Sequence, residues 1–361
     1  MELSNSAASQ RSPRVSLLMA AYNGAAFIGE SIASLLAQSF ADFELIIIDD
    51  ASTDGTAKIV AAYADPRIRL LRNTANLGIV GTRNRGFAAA RGIFVAILDQ
   101  DDLSRPRRLE AQVAYLDGHP DCVLVATDID VMEAGHLRAS RFSGLGATGP
   151  VVLRWMLHIS NPLIHSSVMF RADVVRSLGI YLRQDYALCE DYDFYLRMLP
   201  LGEIAILPER LTVLREHGGR ASKRQEAALT ANAVKLLSTA YAPYLGEAAP
   251  AAADLVVRLL AASNPVPDGD TLLRLGHFLG RLMQMFLQES NASPVERAAI
   301  EQYTGVLWWR MMRVSVRSGR LPMLFRHRGR IDAARYARPA LLDRIVWELI
   351  GTIRRLRRDN G

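Results

Sequence analysis

The stretch Gly92-Ile93-Phe94-Val95-Ala96-Ile97-Leu98-Asp99-Gln100-Asp101-Asp102 decides the fold, because an apolar run ends in three carboxylates within four residues. A run without polar alternation predicts a strand covered on both faces, as in a parallel sheet flanked by helices. Such a strand delivers its last residues to the crevice outside the sheet, where open α/β sheets bind ligands. Hard oxygen ligands gathered there suit Mg2+ or Mn2+, held by one or two carboxylates and the phosphates of a substrate. Taken alone, the same residues also read as a solvated acidic turn before a helix that begins near Pro106, with Asp102 a candidate N-terminal cap.

The residues upstream break that tie. Phe43 to Asp50 is a second apolar run ending in carboxylates, and it continues into Ala51-Ser52-Thr53-Asp54-Gly55-Thr56. A third run, Val15 to Ala20, leads into Ala21-Tyr22-Asn23-Gly24. Between the runs lie helical patterns: from Ala26 to Gln38, Phe27, Ile28, Ile32, Leu35 and Leu36 share one side, and Thr56 to Tyr63 repeats the arrangement briefly. Strands alternating with helices predict right-handed βαβ units and a mostly parallel sheet. In that sheet Tyr22, Asp50 and Asp101 would meet at one edge.

Five segments in this order resemble the family 2 glycosyltransferases: Tyr22-Asn23, Asp49 to Thr56, Asn76-Leu77-Gly78 with Arg83-Asn84-Arg85-Gly86, Leu98 to Asp102, and Cys189-Glu190-Asp191-Tyr192-Asp193. The likeness runs from Val15 to about His217. It implies a GT-A type fold, a mostly parallel sheet with helices on its faces and a Rossmann-like nucleotide-binding half, followed by a helical C-terminal region. It also implies an inverting enzyme that takes a sugar from a nucleotide diphosphate donor, a UDP-sugar by preference, with Mn2+ or Mg2+, and places it on a hydroxyl of a glycan or lipid-linked acceptor. Cell-surface polysaccharide assembly is the usual setting of that family. Departures from its pattern fall at Gln100, where a small residue is frequent, and at Ala20 and Ala51, where Pro and Gly are frequent.

Residue by residue, the resemblance places Ala20, Tyr22, Asp50, Arg83, Asp99 and Asp101 around the nucleotide. Asp50 would accept a hydrogen bond from the base, as a carboxylate can from an imide N–H. Tyr22 would stack on base or ribose. The fork of Arg83 would suit phosphate or base oxygens, the plainer reading being a helix-surface residue. Asp101 is the expected direct metal ligand, and Asp99 the contact to ribose or metal-bound water. Asp191 takes the part of the general base that deprotonates the acceptor hydroxyl as it attacks opposite the leaving nucleotide; helix-dipole compensation by Glu190, Asp191 and Asp193 is the plainer alternative. His165, in Asn161 to Arg171, is given a supporting role only. His217 stands where it could reach the metal or a phosphate, and the following Gly218-Gly219-Arg220 to Arg224 reads either as a loop over the diphosphate or as a basic linker.

Composition sets the boundaries expected around that site. The 361 residues suffice for about two domains on a soft prior of ~150 residues each. The expected division is a disordered 1–13, a catalytic 14–224 with nucleotide-sugar binding over 14–127 and the acceptor side over 128–224, and a helical, basic 225–361. The first thirteen residues have no signal-peptide core, no run reaches the ~18 apolar residues of a spanning helix, and the two cysteines, Cys122 and Cys189, lack metal-like spacing. A cytoplasmic enzyme is therefore expected, peripheral at most on the inner face of the membrane. The Gln-x-x-Arg-Trp sequence of processive synthases is missing, which favours a single sugar addition.

Net charge is +6, yet residues from 301 onward hold fourteen arginines and five acidic residues. In a helix expected over 341–358, Leu342, Ile345, Val346, Leu349, Ile353 and Leu356 form a stripe beside Arg344, Arg354, Arg355, Arg357 and Arg358. Such a helix can lie on an anionic membrane or pack against its neighbours, and with little aromatic interleaving it is not expected to take nucleic acid as a partner. Two other classes stay open on sequence: a nucleotidyltransferase, against which the Asp191 helix speaks, and a non-catalytic nucleotide-sugar-binding protein.

Overall fold

A computed structural model describes residues 12–140, 148–218 and 225–319. The N-terminal segment 1–11, the residues 219–224 that follow the first glycine of the glycine-and-cation stretch, and the basic helix expected over 341–358 lie outside the described residues.

Two compact units are present: 12–140 with 163–218, and 148–162 with 225–319. The first is built on the runs that the sequence marks as strands. Strands β1 (Val15–Ala21), β2 (Phe43–Asp49), β3 (Ile68–Arg72) and β4 (Phe94–Ile97) alternate with helices α1 (Ile28–Leu36), α2 (Thr56–Ala61) and α3 (Gly78–Ala89). They pair in the order β3-β2-β1-β4, all parallel, with Val15 opposite Phe43 on one side and Phe94 on the other. All seven residues of β2 are buried, which is why the sequence runs Leu-Ile-Ile-Ile without alternation.

After β5 (Leu103–Ser104) and α4 (Arg108–Gly118), the sheet extends past β4 through β8 (Met169–Arg171), β6 (Cys122–Glu133) and β9 (Glu203–Glu216) to β5; β7 (His136–Ala139) hangs on β6. Here the pairing mixes: β8 is antiparallel to both β4 and β6, while β6 and β9 run parallel. Helices α6 (Ala172–Ser177) and α7 (Glu190–Met198) follow β8, and α7 opens after Leu188, whose φ of 72° is unusual for a residue with a side chain. The core joins Leu17, Met19, Leu45, Ile47, Ala96 and Leu98 of the sheet to Ile28, Ile32 and Leu35 of α1 and to Leu109, Val113 and Leu116 of α4. The apolar stripe of α1 thus buries the face that its spacing predicts.

The second unit is helical. It holds α5 (Pro150–Leu157), α8 (Glu226–Leu245), α9 (Ala249–Leu255), a π-helical turn at Val256–Ala261, α10 (Gly269–Glu289) and α11 (Pro294–Arg317). Ser293 and Glu296 close the capping box that their spacing predicts, with Pro294 in the first turn. Buried Trp155 donates its indole N–H to Thr304 at 2.8 Å and packs on Phe286. The segment 148–162, expected on the acceptor side, groups with the helical unit, where Trp155 has its partners. No described helix is long and apolar enough to cross a membrane.

Ala51 adopts φ 58°, a left-handed conformation at the end of β2 that glycine enters without strain. Ala51→Gly is therefore expected to raise stability by roughly 0.5–1 kcal/mol, the relief of the Cβ clash exceeding the added unfolded-state entropy. Urea unfolding of the two chains measures it, and an unchanged or lower midpoint would show that Ala51 is unstrained.

Candidate active site

The crevice opens between β1 and β4. Their ladder stops at Leu18 opposite Ile97, whereas β1 continues beside β2 to Ala21 opposite Asp49. This is the switch point of the parallel order, with β2 on one side of β1 and β4 on the other, the place where such sheets take ligands. Ala20 and Tyr22 end one wall, and Asp99 to Asp102 end the other. Ala20 is half-buried and Tyr22 is exposed.

The carboxylates after β4 have different surroundings. Asp99 accepts from Arg83 Nη2 at 2.6 Å, and its backbone N–H donates to Ser166 Oγ at 3.1 Å. Asp101 Oδ2 lies 2.7 Å from His217 Nε2, so the residue that follows β9 comes to the carboxylate loop. His217 in turn packs at a tilt against Phe27, whose ring lies under the Arg215 guanidinium. Asp102 is buried and caps no helix; α4 starts at Arg108 without a side-chain cap. Its oxygens take Ser166 Oγ at 2.5 Å and the Arg215 N–H at 2.9 Å, locking the loop to β9. Burial, then the charges of Asp101 and Asp99, push its carboxyl up to about 8.

Helix α7 brings the second set of carboxylates. Glu190 is buried and accepts from Arg83 Nη1 at 2.9 Å, so one guanidinium spans Asp99 and Glu190. Asp193 is buried between Arg183 and Arg197. Asp191 is half-buried, with Tyr192 N–H donating to it at 2.7 Å. Burial, then the charge of Glu190, lifts its carboxyl to about 7, against the pull of Arg83. A carboxylate poised there is suited to accept a proton near neutral pH. Cys189 beside it is buried, and its thiol is pushed up to about 12 by that burial, so a filler role fits it.

His165 is buried between Tyr195, 2.9 Å from Nδ1, and Tyr181, 3.1 Å from Nε2; burial drives its pKa well below the ordinary value. It is a neutral, satisfied core imidazole.

Asp50 faces inward. It is buried, and its oxygens accept from Asn73 Nδ2 at 2.6 Å, Leu77 N–H at 2.8 Å and Gly78 N–H at 3.0 Å, which anchors the start of α3. A carboxylate has about four acceptor directions, so these bonds leave roughly one for a base.

The profile of glycosyl transferase family 2 matches residues 16–178. The putative glycosyltransferase EpsE of Bacillus subtilis (strain 168) is 36% identical over 224 residues, which cover 59% of this chain and 76% of EpsE. The chain belongs to glycosyltransferase family 2. A UDP-Glc:alpha-D-GlcNAc-diphosphoundecaprenol beta-1,3-glucosyltransferase of Escherichia coli, WfgD, is 40% identical over 102 residues, 28% of this chain and 40% of WfgD. Among solved structures, S. aureus TarS 1–349 in complex with UDP-GlcNAc superposes with a TM-score of 0.53 at 19% identity, over 90% of this chain and 89% of that one. At that identity the likeness concerns the fold, an α/β sheet flanked by helices with a helical C-terminal region.

In this glycosyltransferase the family's Arg83-Asn84-Arg85-Gly86 segment works as a fastener. Arg83 ties α3 to Asp99 and Glu190; Asn84 accepts from Leu182 N–H and donates to Leu182 C=O, both at 2.8 Å. Arg85 holds Asn73, the partner of Asp50. Gly86 brings the helix against Ile48, where a Cβ would sit 2.6 Å from the isoleucine side chain. The sequence reading missed Gln100, Asn84, Ser166 and Glu190 as site builders. Each lies beside a residue it did select, and adjacency was the available signal.

Proposed function

We propose that this glycosyltransferase moves a sugar, with inversion, from a UDP-sugar to a hydroxyl of a glycan or lipid-linked acceptor in cell-surface polysaccharide assembly, with Mn2+ or Mg2+ as cofactor. The observation that carries the reading is the Asp99–Arg83–Glu190 bridge, which joins the carboxylate loop of the donor wall to the helix that presents Asp191. The activity for which WfgD is named and the UDP-GlcNAc complex of TarS support the choice of a UDP-sugar, and WfgD supports a lipid-linked acceptor.

Asp101 and His217, with Asp99 beside them, are the residues that would hold the metal. Among the described residues no group of three or more His, Cys, Asp or Glu is arranged as a complete metal cage. A pair at 2.7 Å suits an ion that takes its remaining ligands from phosphate oxygens and water. When bound, the ion supplies charge to neutralise the leaving diphosphate. Tyr22 offers its exposed ring to the base, and Asp191 accepts the proton of the attacking hydroxyl.

A panel of nucleotide sugars tests the reading. Hydrolysis of a UDP-sugar is expected with Mn2+, falling to background with chelator. Asp101→Ala should abolish it and lower UDP affinity in Mn2+ at least tenfold, the expected loss of one charge-assisted contact. Metal-independent turnover, or unchanged metal-dependent UDP affinity in the variant, would refute the assignment of Asp101. Release of pyrophosphate from a nucleoside triphosphate, with no sugar transfer, would favour a nucleotidyltransferase.

A further inference from the structure

Gln100 stands between Asp99 and Asp101, yet its side chain crosses to the opposite wall of the crevice. Its Oε1 accepts from the Tyr22 N–H at 3.0 Å, and its Nε2 donates to the Tyr22 carbonyl at 3.0 Å. The amide thus pairs with one residue as a neighbouring strand would, just beyond the point where the β1–β4 ladder ends. Its backbone carbonyl takes the Ser31 hydroxyl at 2.7 Å, so the residue is held from α1 as well. Gly24 lies beneath: a Cβ there would sit 2.0 Å from Gln100 Oε1, with the next atoms in range also on the Gln100 side chain. The rest of the Tyr22 turn is tied to the segment after β2, through Asn23 N–H to Ser52, Thr53 N–H to Asn23 and Gly24 N–H to Thr56, and to the start of α1, through the Phe27 and Ile28 N–H groups to the Gly24 carbonyl.

We propose that Gln100 is a positioning residue that couples the nucleobase wall of the donor site, through Tyr22, to the carboxylate loop of Asp99 and Asp101. The inference rests on the reading of Tyr22 as the base contact and Asp101 as the diphosphate contact. A nucleoside diphosphate must touch both walls at once, so their separation has to be set before or during binding. The paired amide bonds set it beforehand, and a ligand that touches one wall gains nothing from them. Large residues at this position and a glycine at 24 belong together sterically.

The test uses the full chain, with UDP, uridine and pyrophosphate as probes, in MnCl2 and by calorimetry. Tyr22→Ala must weaken UDP binding; an unchanged affinity, or no UDP binding by the parent chain, overturns the donor-site reading and this inference with it. Given that, Gln100→Ala is expected to weaken UDP on the order of tenfold, as two net hydrogen bonds would. Uridine and pyrophosphate should bind as before, and KM for the sugar nucleotide should rise with kcat nearly constant. Gly24→Ala should reproduce the loss in the parent chain, by displacing the amide, and add nothing in the Gln100→Ala background. Equal weakening of UDP and uridine, additive effects of the two substitutions, or UDP affinity within twofold of the parent would overturn the coupling and leave the donor-site reading in place.

Discussion

Asp191→Asn is expected to lower turnover by ~10²–10⁴ while UDP affinity stays near that of the parent chain. Asparagine keeps the shape and the acceptor oxygen for the Tyr192 N–H, and removes only the capacity to take a proton. Glu190 and Asp193 do not substitute for it, because arginines hold both. The pH dependence gives a second readout. A base is active when deprotonated, so kcat should rise with pH through about 7, where burial and the charge of Glu190 place the Asp191 carboxyl, and should fall tenfold per unit well below it. An ordinary exposed aspartate would put that limb near pH 4. Near-normal turnover in Asp191→Asn, or a limb near pH 4, would remove Asp191 from the role.

Stability should move the other way. The folded-state pKa of Asp191 lies above its unfolded value of 3.8, so its contribution favours folding below the unfolded value and is lost as pH rises through about 7. Asparagine stays neutral throughout. The variant should therefore gain stability relative to the parent at pH 8 and match it at pH 4. A more stable, inactive variant is the signature of a functional group kept at the expense of the fold.

Much of this architecture was legible because it depends on period and position. Unbroken apolar runs such as Leu45 to Ile48 specify strands covered on both faces, and runs that end in carboxylates say which end faces the crevice. The Ser293–Glu296 box was readable for the same local reason. The partners of each site residue were not. Asp50 resembles a ligand in sequence, yet its oxygens meet Asn73, Leu77 and Gly78, more than twenty residues on. Asp102 stands four residues before Pro106 like a cap, while its hydrogen bonds run to Ser166 and Arg215. Such pairings depend on which strands become neighbours, and β8, β6 and β9 join the sheet out of chain order, with mixed directions. A helix such as α5 likewise reveals its unit only through Trp155 and its distant partner Thr304.

Arg83→Gln should have the largest effect on stability. Burial alone would push the guanidinium down, but the charges of Asp99 and Glu190 outweigh it and hold the group above the usual arginine range. Removing it leaves the buried Glu190, whose Oε2 has no hydrogen-bond partner, and the partly exposed Asp99 without their shared cation. Breaking a buried pair from one side costs about 3–5 kcal/mol; the exposure of Asp99 argues for the lower end, about 3. Protonation at low pH removes the stranded negative charge, so the loss should shrink as pH falls. Glu190→Gln added to Arg83→Gln should recover part of it, because one of the stranded charges disappears. Arg83 also restrains the pKa of Asp191, so the acidic limb of kcat should move to higher pH in the single variant. Urea unfolding at pH 5 and pH 8 measures the first effect, and a pH–rate profile the second. A loss below about 1 kcal/mol at pH 8, with the limb unmoved, would mean that Arg83 is a helix residue that the two carboxylates merely touch.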